Sequence, residues 1–183
     1  MFADRTVVLA VTAGIAAYKS AILVRELKAA KAEVLVIMTR EATEFITPLT
    51  LETISQNPVA FGMFERNNQW DIEHIALADR ADLLIVAPAT ANIIGKAAHG
   101  IADDLVSTTI LTMMTTVAIL MAPSMNTRMW ENPIVRRNIE ALKTTGIRFV
   151  GPEEGRLADG SIGMRRMAEV EDILNAAREA IKK

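Results

Sequence analysis

The sequence predicts an α/β protein, a three-layer αβα sandwich around a mostly parallel sheet. Three observations predict it. Short apolar runs recur without the polar alternation of a half-exposed strand, so they read as strands covered on both faces. Amphipathic segments of helical period separate them. The 183 residues, 51% of them hydrophobic, suffice for one domain with a proper core.

The first strand falls at 6–12, a β-branched run, and 13–15 turns the chain around Gly14. A helix follows, with Ala16, Ser20, Leu23, Val24 and Leu27 inward and Lys19, Arg25, Glu26 and Lys28 facing away. The next strand, 33–38, completes a strand–helix–strand unit that must be right-handed. Thr39 caps a short helix beginning near Glu41. Thr47-Pro48 opens another, since proline suits the first helical turn, and Asn57-Pro58 ends it. Residues 67–71 read as a loop and 74–78 as helical.

The third main strand is 83–87, stopped by Pro88. Helices follow over 91–98, closed by Gly100, and over 103–113. The fourth strand, 117–121, is stopped by Pro123. Pro133 begins a helix whose inner stripe is Ile134, Val135, Asn138, Ile139 and Leu142, ended by Gly146. A final short strand covers 148–150. Val170, Ile173, Leu174, Ala177 and Ile181 line a closing helix. No linker or repeat divides 1–183. The glycine-rich stretch at about 151–167 is long for a connection and reads as a loop that covers a substrate, the alternative being a simple rim loop.

Composition narrows the function. Twenty basic and 22 acidic residues are interspersed and give a net charge of -2, so no broad positive field exists for nucleic acid. No apolar stretch approaches bilayer length, and the run at 7–17 reads as a first strand and its turn instead of a secretion signal. The expectation is a protein of the cytoplasm, without membrane or nucleic-acid partners. There are no cysteines, which rules out disulfides and thiol nucleophiles. The two histidines, His74 and His99, have no companions at metal-ligand spacing, so no metal is expected.

In open α/β sheets ligands sit beyond the carboxyl ends of the strands. Segments 12–17, 39–42, 88–92 and 123–130 lie there, several with Ser, Thr or Asn at a helix start, a chemistry suited to phosphate. Each threonine has a plainer reading as a cap. Gly14 alone is no dinucleotide fingerprint, and the glycine-lysine-serine/threonine phosphate loop is absent. His99, beside Gly100, simply ends its helix. His74 is an ordinary packed or surface histidine by position, yet it is the best titratable candidate near neutral pH. Asn126 either reads a carboxylate with two N–H donors or satisfies its own backbone.

Five stretches together carry a specific pattern: Gly14-Ile15-Ala16-Ala17-Tyr18-Lys19; Met38-Thr39 with Thr47-Pro48-Leu49; His74-Ile75 with Leu77-Ala78; Pro88-Ala89-Thr90-Ala91-Asn92; and Pro123-Ser124-Met125-Asn126-Thr127-Arg128-Met129-Trp130. In this order the chain resembles the homo-oligomeric flavin-containing cysteine decarboxylases, nearest to the branch that serves coenzyme A biosynthesis. The resemblance implies a Rossmann-like, flavodoxin-like flavoprotein that uses FMN. It implies oxidative decarboxylation of a cysteinyl carboxylate, most of all that of 4'-phosphopantothenoylcysteine.

It further implies roles. Gly14, Ile15 and Thr39 hold the flavin phosphate, and Pro88, Ala89, Thr90, Ala91 and Asn92 wrap the ring and ribityl chain. His74 is the base or orienting group, from a neighbouring subunit. Asn126 binds the substrate carboxylate with Met129 beside it, and Ala158 and Met167 complete the substrate wall. The family assembles as trimers, or four trimers together, with the active site at the subunit contact. Oxidised flavin takes two electrons from the CH–SH unit, and the resulting thioaldehyde acts as the sink for decarboxylation to an enethiol.

One departure stands out. Where the coenzyme A enzymes have Leu-Ala-Cys-Gly, whose thiol protonates the enethiol, this chain reads Leu157-Ala158-Asp159-Gly160, and Arg165 stands where glycine is usual. Three readings stay open: the reaction stops at the enethiol, as in peptide-modifying members; Asp159 donates the proton; or the substrate is another cysteine-terminated molecule, such as a peptide. Rival functions on the same sheet are a flavin reductase, a non-catalytic FMN-binding regulator, and a prenyl-transferring flavin protein.

Overall fold

A computed structural model of the chain describes residues 2–62, 73–156 and 162–181, with the backbone alone described at 73–74, 154–156 and 162–165. The strands are β1 (Thr6–Val11), β2 (Glu33–Met38), β3 (Val59–Ala60), β4 (Leu83–Ala89), β5 (Ala118–Pro123), β6 (Arg148–Phe149), β7 (Glu153–Arg156) and β8 (Ile162–Arg166). The helices are α1 (Tyr18–Ala29), α2 (Pro48–Ser55), α3 (Glu73–Arg80), α4 (Ala91–His99), α5 (Leu105–Met113), α6 (Thr127–Trp130), α7 (Pro133–Thr144) and α8 (Val170–Ile181). Short 3-10 turns follow β1 at Ile15–Ala17 and β2 at Arg40–Glu44.

Six strands form one sheet in the order β3-β2-β1-β4-β5-β6, and every pairing in it is parallel. This is the doubly wound order; without the two-residue β3 at its edge it is the flavodoxin-like one. Alternate residues of β1 serve opposite faces, which is why the strand carries no polar alternation. Val7, Leu9 and Val11 pack with Leu23, Leu27, Leu51, Ile173 and Ala177, from α1, α2 and α8. Val8 and Ala10 pack with Leu77, Ile93, Ile94, Ile110 and Ile139, from α3, α4, α5 and α7. The three layers are as expected.

Helix ends follow local chemistry. Thr47 accepts from the Thr50 N–H with Pro48 at the first turn of α2. Gly100 closes α4 at φ 66, the left-handed region where a Cβ is unfavourable. Asp104 and Ser107 form a reciprocal capping box, so α5 begins at Leu105 and not at 103.

Other differences have physical reasons. β4 runs through Pro88 to Ala89, because the ladder to β5 shifts register between Val86 and Ala89 and leaves the proline without a bond to supply. β5 likewise reaches Pro123. The stretch 151–167, read as a loop, contains the antiparallel pair β7–β8. Thr39 stands at the cap position of its 3-10 turn, but its side chain makes no cap bond. Ile134 is exposed instead of packed. Lys19, expected to face solvent, is only 7% exposed. The proposed loop at 67–71 lies outside the described residues.

Candidate active site at the carboxyl edge of the sheet

The chain passes from β1 to β2 and β3 on one side, then returns to β4, β5 and β6 on the other. The strand order therefore reverses between β1 and β4, and a crevice opens beyond their carboxyl ends. Thr12, 1% exposed, ties the two strand ends together: its hydroxyl donates to the Pro88 carbonyl at 2.7 Å and lies 3.4 Å from Thr90 Oγ1. Ser20 braces α1 against the same strand by donating to the Ala87 carbonyl at 2.9 Å.

The crevice is a cavity of about 670 Å³, within the usual range for small-molecule sites. One wall is the turn after β1, with Gly14, Ile15 and Ala16 facing Thr39 from the end of β2. A second is the start of α4, with Thr90, Ala91 and Asn92. A third is the β5–α6 turn with Ser124, Met125, Asn126 and Met129, closed by Arg166 and Met167 at the exit from β8.

Each wall is held by local chemistry. Thr90 Oγ1 accepts from the Ile93 N–H, starting α4 and orienting its first turn. Asn126 Oδ1 accepts from the Arg128 N–H at 2.9 Å and caps α6. That bond fixes the amide plane and leaves the Nδ2 donors without a partner among the described residues. The Thr39 hydroxyl is buried with no hydrogen-bond partner among the described residues, a costly state it shares with Thr109 and Thr127, and of the three only Thr39 lines the cavity, where a ligand can supply an acceptor. At Gly14 a Cβ would meet nothing within 4 Å: the space in front of this backbone belongs to the cleft.

These features fit a flavin nucleotide. The orphaned Thr39 hydroxyl and the N–H groups of the turn into α1 suit its phosphate, and the bare Gly14 backbone permits close approach.

Gly14, Ile15, Thr39, Thr90, Ala91, Asn92, Asn126, Met129 and Met167 thus meet in one cavity. Pro88 and Ala89 do not line it: Ala89 is fully buried, and Pro88 contributes its carbonyl to Thr12. The backbone of His74 lies in α3, but its side chain is outside the described residues, as are Ala158 and Asp159. His99 Nδ1 lies 2.8 Å from the Gly95 carbonyl within its own helix, in keeping with its expected role as a helix end.

Sequence reasoning gave no role to Lys19, Glu41, Asp104 or Arg166, all on the cavity lining. Asp104 is spoken for as the cap of α5 and by Lys96 Nζ at 2.6 Å. The cue available for Lys19 was its position: a lysine in a first helical turn opposes the helix dipole.

Fold and cleft define an α/β protein of the flavin-binding class, with an open cavity at the topological switch point. The chain belongs to the Flavoprotein family, whose model matches residues 2–182. It is 46% identical over 179 residues to the coenzyme A biosynthesis bifunctional protein CoaBC of Bacillus subtilis, covering 98% of this chain and 44% of that protein. The chain thus spans less than half the length of this bifunctional relative. It is 40% identical to the probable phosphopantothenoylcysteine decarboxylase of Streptococcus mutans, over 97% of this chain and 99% of that one. Among solved structures, a PPC decarboxylase mutant complexed with pantothenoylaminoethenethiol superposes with a TM-score of 0.84 at 31% identity, covering 98% and 99% of the two chains. The FMN binding protein AtHal3 superposes at 0.80 with 32% identity, over 96% of each chain. These relatives carry the names that the resemblance in the five motifs led us to expect.

Proposed function

We propose that the protein is an FMN-dependent carboxy-lyase that decarboxylates 4'-phosphopantothenoylcysteine in coenzyme A biosynthesis. The observation that carries this reading is one cleft holding two sets of groups: Gly14, Ile15 and Thr39 on one wall, Asn126, Met129 and Met167 on the other. The first set suits a flavin phosphate and the second a cysteinyl substrate. Relatives of matching length with decarboxylase names support the assignment.

Bound FMN supplies the two-electron oxidation of the cysteinyl CH–SH unit that makes loss of carbon dioxide accessible. The chain's own groups bind, orient and move protons. Thr39 Oγ1 and the N–H groups of Ile15 and Ala16 would hold the phosphate, the Ala17 N–H being taken by the Gly14 carbonyl at 2.9 Å. Thr90, Ala91 and Asn92, which line the cavity, would border the ring, backed by Pro88 and Ala89. Asn126, its oxygen committed to the Arg128 N–H, turns two neutral donors toward the substrate carboxylate. Neutral donors orient that group without the full positive charge that would resist its departure. Met129 and Met167 offer adaptable apolar contact. His74 manages the thiol proton, contributed across a subunit contact in a trimer or dodecamer.

Ile15, Tyr18 and Met129 border this cavity and are 76%, 54% and 47% exposed, which supports such an assembly around the site. The cytoplasm suits a substrate whose thiol must stay reduced. Lacking cysteine, the chain cannot use the family thiol to protonate the enethiol. If Asp159 donates the proton in its place, the two electrons taken from the substrate return to it and the product is the saturated thiol; if the enethiol is released instead, those electrons must pass to an external oxidant such as dioxygen.

The test is His74→Asn. Flavin absorbance per chain should stay at the wild-type level while carbon dioxide release falls at least about 100-fold, the lower scale for losing a general acid–base group. Full activity would remove His74 from the mechanism. A saturated thiol product from the wild type would exclude termination at the enethiol.

A further inference from the structure

Lys19 breaks two rules at once. It occupies the first turn of α1, whose dipole disfavours a cation, and it is 7% exposed, where lysine is rare unless paired. The first turn of α1 holds no acidic residue to offset it. Its partners come from the far end of the chain. Nζ donates to the Met167 carbonyl at 3.3 Å and lies 3.0 Å from Glu169 Oε2.

The segment it grips is tightly built. Met167 and Ala168 are each 1% exposed. Glu169 Oε1 accepts from Arg166 at 3.1 Å, and the Glu169 N–H donates to Glu153 Oε1 at 3.3 Å. Gly151 presses on Ala168 so closely that a Cβ there would lie 3.1 Å from the Ala168 Cβ. Lys19, Arg166 and Met167 all line the cavity. A cation buried against the helix dipole is thus the link between the turn holding Gly14 and the wall holding Met167.

We propose that Lys19 is a positioning residue for the substrate: it sets the Met167 wall at its working distance from the Gly14–Ile15 turn. The proposal rests on the substrate reading above, in which Met167 contacts the substrate. Removing the ammonium frees the Met167 carbonyl and Glu169 together, and the wall loses its register with the cofactor side. Substrate affinity suffers, while the flavin contacts of Gly14, Ile15 and Thr39 stay.

The experiment compares wild type with Lys19→Met, Lys19→Arg and Glu169→Gln. In Lys19→Met, FMN content per chain stays at the wild-type level and KM for phosphopantothenoylcysteine rises at least about tenfold, with kcat within about threefold. Lys19→Arg, which keeps a charged donor, recovers most of the KM. Glu169→Gln, at an exposed position that tolerates change, shows a smaller rise of the same kind. A second readout needs no turnover: in flavin-free protein, hydrogen exchange of the Met167–Glu169 amides accelerates at least about tenfold in Lys19→Met and returns in Lys19→Arg. Unchanged exchange at those amides in Lys19→Met overturns the proposal. So does a loss of activity that only tracks lost FMN, or an unchanged KM in a flavin-loaded variant. A wild type that binds FMN but releases no carbon dioxide would refute the substrate reading instead, leaving the exchange result to judge Lys19 as the brace of this wall.

Discussion

The two ends of the sheet are built to opposite standards. At the amino end, polar groups are matched among themselves. Asp82 takes Arg5 at 2.6 Å and the Thr6 N–H at 2.8 Å, and Glu33 takes Arg80 at 2.7 Å and the Thr6 hydroxyl at 3.2 Å. The cavity nearby, about 220 Å³ beside the start of β5, has no charged residue on its lining. At the carboxyl end the Thr39 hydroxyl is buried without a partner, the Asn126 amide keeps spare donors, and Ile15 stands 76% exposed. Satisfied polar groups stabilise the fold; unsatisfied ones, held in place by satisfied neighbours, are available to a ligand. The Thr109 and Thr127 hydroxyls are also unsatisfied but line neither cavity, so it is an unsatisfied group on a cavity wall that marks the ligand site.

Substitutions at the two ends should separate stability from binding. The largest stability effect is expected from Asp82→Ala, which strands the Thr6 N–H and Arg5. Unfolding in urea should show a loss of about 1–2 kcal/mol, discounted for partial exposure, with flavin affinity unchanged. A parallel loss of flavin would mean the two ends are not independent. Gly14→Ala should do the reverse. Its φ of 164 is extended backbone open to any residue, and the added methyl enters empty space inside the cleft. FMN titration should show affinity weakened about tenfold, equivalent to about 1.4 kcal/mol, with no change in Tm. Unchanged affinity would place the flavin elsewhere.

Thr39→Val is a smaller version of the same contrast. Replacing an orphaned hydroxyl with a methyl should leave the flavin-free protein equally or slightly more stable by about 0.5–1 kcal/mol, and weaken FMN severalfold. Destabilisation of the flavin-free form would show that the hydroxyl serves the fold.

The smallest expected effect concerns pH, at the Lys96–Asp103–Asp104 cluster beside the cleft. Burial works against the Lys96 charge, but the hydrogen bonds and charges of Asp103 and Asp104 outweigh it and raise the pKa above 10.5. The hydrogen bond from Lys96 holds Asp103 below 3.8. A raised lysine stabilises the fold fully below its unfolded pKa and loses that contribution as pH climbs through the folded value. A depressed carboxylate stabilises it above its unfolded pKa and loses that contribution as pH falls through the folded one. The Tm difference between wild type and Lys96→Met should therefore be flat from about pH 5 to about pH 9. A slope inside that window would mean another group titrates with the cluster.

Legibility in the sequence followed the same division. The buried strands, the proline-started helices and the glycine stops were readable because each depends on neighbours along the chain. So was the set of segments meeting at the carboxyl edge, since a parallel sheet leaves its ligand little other place. The β7–β8 pair was not readable: two short strands without apolar alternation, around Gly155 and Gly163, look like a loop until they pair. Lys19 was misplaced for a similar reason. Its helical phase suggests solvent, but the groups that bury it lie 148 residues further on.

By itself the sequence determined the layer architecture, the family motifs and the side chains available to a flavin and a carboxylate, because periodicity, capping and turn chemistry act over a few residues. Tertiary structure alone decided which of those side chains are left unsatisfied. Thr39 loses its cap bond, Asn126 commits its oxygen, and Lys19 turns inward toward Met167 and Glu169. Whether a polar atom finds a partner depends on segments distant in sequence, and only the folded chain brings them within hydrogen-bonding reach.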